Sequence, residues 1–316
     1  ASLSQCGSLA PDVQATANSG QILMEYLRGH TEHDGEAFRN REHVFGDPVN
    51  ATPAYVRVPP WSFADAVTPD YPTFKAANAS RPGTLYVAAN DGMLHAFNGD
   101  TGQESWAYIP QMVLSGLYKL ADNNYGANHQ YFVDGSPETM DVFTGSAWKT
   151  ILVAGLGGGG RGYYALDVTD PANPKGLWEF CHDSSLCAVS DSDLGYSYGN
   201  PVITKRASDG TWVVIVASGY NNVSPGTGRG YLYVLNALTG AVLQKIDTGE
   251  GSTTTPLGLS KLSQWTDNGA QDNTTKWVYA GDLEGNLWRF DFTAAPATAL
   301  KLATLKDGSG KPQSVT

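Results

Sequence analysis

Leu85-Tyr86-Val87-Ala88-Ala89-Asn90-Asp91-Gly92-Met93-Leu94-His95-Ala96-Phe97-Asn98 is the stretch whose reading decides the fold. A strand-forming run meets Asn-Asp-Gly, residues that tolerate positive φ as a hairpin requires, and a second strand-like run follows. Its core, Gly92-x-Leu94-x-x-Phe97-Asn98, returns as Gly230-x-Leu232-x-x-Leu235-Asn236 and Gly285-x-Leu287-x-x-Phe290-Asp291. A trimmed copy reads Gly162-Tyr163-Tyr164-Ala165-Leu166-Asp167. The other copies also follow strand-like runs: Ile151–Ala154, Val213–Ala217 and Trp277–Ala280. The unit is strand, tight Gly turn, strand, polar turn. Recurrence at roughly 55 to 70 residues predicts an all-β repeat array, a β-propeller in the first instance.

Composition agrees with that reading. The 36 glycines and 17 prolines suit many short strands joined by turns. The 8 Trp and 16 Tyr suit the packed faces of stacked sheets. A formal charge of −11 argues against nucleic acid, whose phosphates need clustered Lys and Arg. No apolar run reaches the ~18 residues of a membrane-spanning helix. The start lacks the basic region and apolar core of a signal peptide, so the chain reads as an internal or mature fragment. Its end falls where another strand would begin, so further sequence is expected downstream.

Two domains' worth of organisation follow. Residues 1–50 read as an N-terminal helix over 11–28, with Ile22, Leu23, Tyr26 and Leu27 as its apolar stripe and Gly29 as C-cap, then a lead-in loop. Residues 51–316 read as propeller blades, truncated before closure. Long connections at 59–80, 111–131 and 183–200 interrupt the blades, and Gln111 to Leu120 is a short-helix candidate within one. Cys181 and Cys187 bracket a short polar loop. Their spacing suits a loop-closing disulfide and an oxidising compartment, with two free thiols as the alternative. Cys6 is left over, free or paired outside this stretch.

The polar turn carries its own motif. Asn98-Gly99-Asp100-Thr101-Gly102 is repeated as Asn236-Ala237-Leu238-Thr239-Gly240, with Asn capping the turn and Gly taking the special backbone angle. Trp106 is placed to pack on the neighbouring blade. This arrangement resembles the tryptophan-docking girdle of quinoprotein-like propellers, and its role is structural. The expected blade-motif residues are therefore Gly92, Asn98, Gly102, Trp106, Gly162, Asp167, Gly230, Asn236, Gly285 and Asp291.

Longer phrases point to a family. Tyr86 to Phe97, Tyr131-Phe132-Val133-Asp134-Gly135-Ser136-Pro137 and Val278-Tyr279-Ala280-Gly281-Asp282-Leu283-Glu284-Gly285-Asn286-Leu287-Trp288-Arg289-Phe290-Asp291 resemble the hallmarks of PilY/PilC-type type IV pilus proteins. Tyr26-Leu27-Arg28-Gly29, Phe38-Arg39-Asn40-Arg41 and Gly46-Asp47-Pro48-Val49-Asn50 fit the same family. The resemblance covers nearly the whole chain. It implies a modified seven-bladed propeller, only part of it present here, at the C-terminal end of a larger secreted protein. It further implies transit through the periplasm, a position at the bacterial surface near the pilus tip, and roles in pilus assembly, retraction control, twitching motility and adhesion. Implied partners are pilin or minor pilin subunits, the protein's own N-terminal domain, and a host or abiotic surface.

Some family members carry an Asp-x-Asp-x-Asp-x-x-x-Asp calcium loop just before the Tyr-Ala-Gly-Asp-Leu strand. Calcium takes about six to eight oxygens, hence the dense acids. The equivalent window here, Asn268 to Lys276, offers Asn268, Ala270, Asp272 and Lys276 at the ligand positions. Starting from Asp267 instead gives Gly269, Gln271 and Thr275 next. The window reads as a solvated hairpin loop that has lost the site, so no cofactor is expected, residual calcium binding being the alternative.

Other patterns have plainer readings. Gly155-x-Gly157-x-x-Gly160 has the letters of a dinucleotide fingerprint, but a strand follows where that motif needs a helix N-terminus. His30 and His33 beside Glu32 and Asp34 lack a third ligand of matching context. Asp191 and Asp193 suit a turn or cap role, with an exposed cation site as the alternative. His95 and His129 read as packing or loop residues. Neither a nucleophile elbow nor a paired acid site is arguable from spacing, so no catalytic residue is assigned. The expected function is non-enzymatic, with recognition surfaces in loops 59–80, 111–131 and 181–200 through Trp61, Tyr71, Tyr118, Tyr125, Tyr196 and Tyr198. The rivals are a pyrroloquinoline-quinone dehydrogenase and an outer-membrane assembly scaffold of the propeller type.

Overall fold

The computed structural model describes residues 3–315. Four antiparallel sheets follow one another along the chain. The first holds β1 (Ala54–Val56), β2 (Thr84–Ala89), β3 (Met93–Asn98) and β4 (Glu104–Tyr108) in sequential order. The second holds β5 (Glu138–Phe143), β6 (Trp148–Gly155), β7 (Gly162–Asp167), β8 (Lys175–Cys181) and a short parallel addition, β9 (Val189–Ser190). The third contains β10 (Val202–Arg206), β11 (Trp212–Ala217), β12 (Arg229–Asn236) and β13 (Val242–Gly251). The fourth contains β14 (Leu262–Trp265), β16 (Trp277–Gly281), β17 (Asn286–Asp291) and β18 (Thr298–Thr304), while β15 (Thr274–Thr275) crosses to pair with β10. These are four blades of a propeller, with their first strands as neighbours.

The alternation of each strand sends one set of side chains to each neighbouring blade. In β3, Leu94 and Ala96 face blade 2; in β7, Tyr164 and Leu166 face back to meet them, and Tyr163 and Ala165 face blade 3. Three apolar layers result, one per seam. Each fully buried large side chain in them contributes about 1.5–3 kcal/mol.

The turns fall into two kinds. Gly92 (φ +92°) and Gly285 (φ +80°) are true turn glycines, and a Cβ on Gly92 would lie 2.2 Å from Leu117. Gly162 and Gly230 correct the tight-turn reading: they lie inside β7 and β12. There the turns are longer, and Gly157, Gly219 and Gly228 supply the positive φ values.

The helical part also departs from expectation. Residues 11–28 form two helices, α1 (Pro11–Ala17) and α2 (Gly20–Leu27), because Ser19 takes an extended backbone and caps α2 by accepting from the Ile22 N–H at 3.4 Å. A third helix, α3 (Tyr71–Ala77), lies in the 59–80 connection, where no helix was expected. Asp70 caps it, accepting from the Thr73 N–H at 2.9 Å. Gln111–Ala121 is helical in 3-10 form. No helix of the described residues is long and apolar enough to cross a membrane.

The β1–β2 excursion forms a belt across one end of the blades. Its Phe63 packs against Trp148 of blade 2 and Trp212 of blade 3. Tyr71 donates to the buried Asp141 at 2.6 Å, and Arg81 donates to Thr150 at 2.7 Å. The backbone N–H groups of Ser62 and Ala64 donate to the carbonyls of Ala270 and Gln271 in blade 4.

Candidate functional site

The blade motif works as a set of stitches. Asn98 Oδ1 accepts from the N–H groups of Asp100 and Thr101 at 2.9 Å, and Asn236 Oδ1 does the same for Leu238 and Thr239. Gly102 (φ +72°) and Gly240 (φ +69°) close those turns. In blades 2 and 4 the capping residue is an acid: Asp167 accepts from the N–H and hydroxyl of Thr169, and Asp291 from those of Thr293. The turns of blades 2, 3 and 4 each then present a carbonyl to the blade before. Trp106 Nε1 donates to Pro171 O at 2.8 Å, and Trp178 Nε1 donates to Ala237 O at 2.9 Å. At the third seam Gln244 replaces the indole: its Nε2 donates to Ala297 O at 2.7 Å, and its Oε1 accepts from the Ala297 N–H at 3.2 Å.

Only Trp106 was legible in sequence. Trp178 pairs with Ala165 as Trp106 pairs with Ala96, but a longer turn hides the correspondence. Gln244, opposite Val234, gives no aromatic signal at all.

The window aligned with the calcium loop is a hairpin loop between β14 and β16, with a solvated tip, Asp267 to Asp272, and a base that is tied down. Asn273 and Thr275 are buried, and the loop carbonyls of Ala270 and Gln271 accept from the belt. Asp272 accepts from Lys205 at 2.8 Å and from Thr274 at 2.6 Å. Asn268 Nδ2 donates to Gln271, and Lys276 pairs with Asp267. The carboxylates that remain of the pattern thus face cations supplied by this chain. Among the described residues no three His, Cys, Asp or Glu side chains gather as a metal site.

Cys181 and Cys187 form a disulfide, with Cα atoms 5.9 Å apart, and Cys6 is free. Asp191 and Asp193, just beyond, both pair with Lys245 of blade 3 at 2.9 and 2.7 Å. Asp193 also accepts from the N–H and hydroxyl of Thr227. Burial opposes its charge, yet the Lys245 and Thr227 donors hold its carboxyl below the usual range.

Most of the side chains expected to form recognition surfaces are buried or half-buried. Tyr71 and Tyr125 are buried, Trp61, Tyr118 and Tyr196 are half-buried, and Tyr198 alone of the six is exposed. Segment 111–131 sends Met112, Val113, Leu117 and Leu120 into the core between blades 1 and 2. These apolar residues form a stripe on a short helix, a pattern that sequence alone leaves open between core and contact surface.

His95 has a role that sequence reading missed. It is 5% exposed, with Nε2 3.0 Å from Asp91 Oδ2 and Nδ1 2.7 Å from Glu104 Oε1. Burial disfavours its charge, but the hydrogen bonds and attraction of Asp91 and then Glu104 outweigh that and raise its pKa. Asp91 Oδ2 also accepts from the Gly46 N–H at 2.8 Å, and Phe45 lies edge-on to the imidazole. The trio clasps the lead-in to blade 1. His129 and Asp47, 3.0 Å apart, add a second tie.

Sheets joined seam by seam through a donated N–H define a β-propeller blade array. The PilY1 beta-propeller domain model matches residues 45–310, and the chain belongs to that family. It is 39% identical over 305 residues to the type IV pilus biogenesis factor PilY1 of Pseudomonas aeruginosa strain PAK, covering 91% of this chain and 25% of the relative. A PilY1 homolog of Xylella fastidiosa is 38% identical over 321 residues, covering 98% and 24%. The crystal structure of the Pseudomonas aeruginosa PilY1 C-terminal domain superposes with a TM-score of 0.68 at 33% identity, covering 83% of this chain and 55% of that one. The chain spans about a quarter of the length of the curated relatives it matches.

Proposed function

We propose that this chain is the propeller part of a type IV pilus biogenesis factor and acts by recognition rather than catalysis. The match of residues 45–310 to the PilY1 propeller family carries this reading. The relatives named as pilus biogenesis factors support it across nine-tenths of the chain. The finer roles are assembly support, retraction control and adhesion, exercised outside the cell near the pilus tip. Its partners are pilin or minor pilin subunits, the protein's own N-terminal region, and a surface. The stitched seams suit a rigid platform whose loops, rather than whose blades, make contact. No metal or organic cofactor enters this proposal. A quinone dehydrogenase would share the propeller and its tryptophan docks, but the disulfide here joins residues six apart rather than the adjacent pair such a site would use.

Deleting the blades from the native gene and measuring surface pili and twitching tests the proposal. Loss of both, restored by the intact gene, is the expected result. Wild-type piliation and twitching would overturn it. Deletion of 111–131 alone is a poor test, because it removes core side chains and so reads folding.

A further inference from the structure

The first strands of the four blades begin around a cavity of about 550 Å3. Thr52, Ser136, Asn200 and Ser260 line it, each two residues ahead of its strand. Every blade therefore places an uncharged hydrogen-bonding side chain at the same register of the same mouth. Next to this cavity lies a second of about 620 Å3, lined by Gln130, Tyr131, Tyr196 and Asn221. The belt crosses the opposite end of the blades and does not cover this mouth.

The ridge between the two cavities is built with unusual closeness. Gly158 sits between Tyr198 and Tyr131, and a Cβ there would lie 2.8 Å from the Tyr198 hydroxyl and 3.1 Å from the Tyr131 ring. Both tyrosines are exposed, 41% and 39%. Tyr220 backs Tyr198 at 5.6 Å between ring centroids. Asn221, the one non-glycine residue with positive φ among the described residues (φ +57°), lines the second cavity. Strained backbone of this kind concentrates at ligand sites.

The charges nearby are spent within the protein. Arg161 donates to four carbonyls, of Leu194, Ser224, Ser192 and Pro225. Asp134 accepts from the backbone and side-chain N–H groups of Asn50. Glu138 accepts from Asn200 at 2.8 Å. None of these three forms an ion pair among the described residues, and Lys261 at the rim differs in having no side-chain hydrogen bond either. What the mouth offers is amides, hydroxyls and two aromatic faces in a concave space of small-ligand size.

We infer that this mouth is a binding site for a neutral polyhydroxylated ligand the size of a disaccharide, with Tyr198 and Tyr131 stacking on sugar C–H faces and Asn200, Ser136 and Thr52 bonding the hydroxyls. This site goes beyond the pilus role, and its named residues all lie in this chain, so its test is separable from piliation.

The test is saturation-transfer NMR on the purified chain with lactose, cellobiose and N,N′-diacetylchitobiose as probes. Transfer to the ring C–H protons of at least one is expected. Tyr198→Ala, at an exposed position, should weaken it about tenfold or more. Gly158→Ala should weaken it too, by pushing Tyr198 away, with the thermal melt of each variant checking the fold. Silence from all three sugars overturns the inference, as does transfer unchanged in both variants. Selective binding of glucuronic acid, or of a tripeptide control, overturns it by assigning the mouth to a different chemistry.

Discussion

Blades 2 and 3 meet through an apolar seam, whereas the outward face of blade 1 meets the lead-in through charge. At the register of β3 that faces backwards, blade 1 has His95. The same register in the later blades holds Tyr164, Tyr233 and Trp288, all buried against the preceding blade. In blade 1 the covering element is the short lead-in bearing Phe45, itself 41% exposed. An apolar seam gains from area removed from water and is indifferent to pH. A histidine between two carboxylates gains only while it is charged. One fold position thus serves a permanent joint in three blades and a titratable clasp in the fourth.

The strongest way to break the comparison is at the seam. Trp178→Ala removes a buried indole and its bond to Ala237, and should cost about 3–5 kcal/mol in denaturant unfolding. A loss below about 1 kcal/mol would show that the docking position does not hold blades 2 and 3 together. Gln244→Ala, at the seam without an indole, should cost less, about 1–2 kcal/mol for two hydrogen bonds. An equal or greater loss there would remove the distinction between the two docks.

The clasp is tested by pH. The His95 pKa is raised in the folded protein, so its contribution is full below the usual value near ~6.5 and is lost as pH rises through the raised value. The protection factor of the Gly46 amide should therefore fall as pH rises across that window. His95→Gln should make it flat. His129→Gln is the control, since His129 pairs with Asp47 on the same lead-in, and Arg28 lines the adjoining cavity as the nearby cation. A pH response that survives His95→Gln but vanishes with His129→Gln would move the clasp to the second pair.

The smallest expected effect concerns calcium. Since Lys205 already faces Asp272, and Lys276 already faces Asp267, adding calcium or chelator should leave the melting temperature unchanged. A rise in calcium with matching heat of binding would give the 267–276 loop, or another acidic loop, a metal site after all.

Much of the blade architecture was readable because its signals are local. Asn-Asp-Gly at 90–92, the Asn98 and Asn236 turns and the alternating strand runs act over a few residues, where backbone sterics and side-chain caps decide the outcome. Cys181 and Cys187 announced their bridge for the same reason. Parts of the long connections pack inward, a fate the sequence hid because apolar residues such as Leu117 and Phe63 look alike whether they meet core or partner, while Tyr198 stays exposed. The split at Asn18–Ser19 was missed because one apolar stripe runs across both helices.

By itself, the sequence determined the repeat, its turns at Gly92 and Gly285, the dock at Trp106 and the family resemblance. Only the tertiary structure decided that Trp178 and Gln244 serve as the other docks, that the calcium-type loop is held by lysine, and that four blades put Thr52, Ser136, Asn200 and Ser260 around one mouth. Those relations join residues tens to hundreds of positions apart. Their energies come from burial and from partners across a seam, and neither exists until the blades stand side by side.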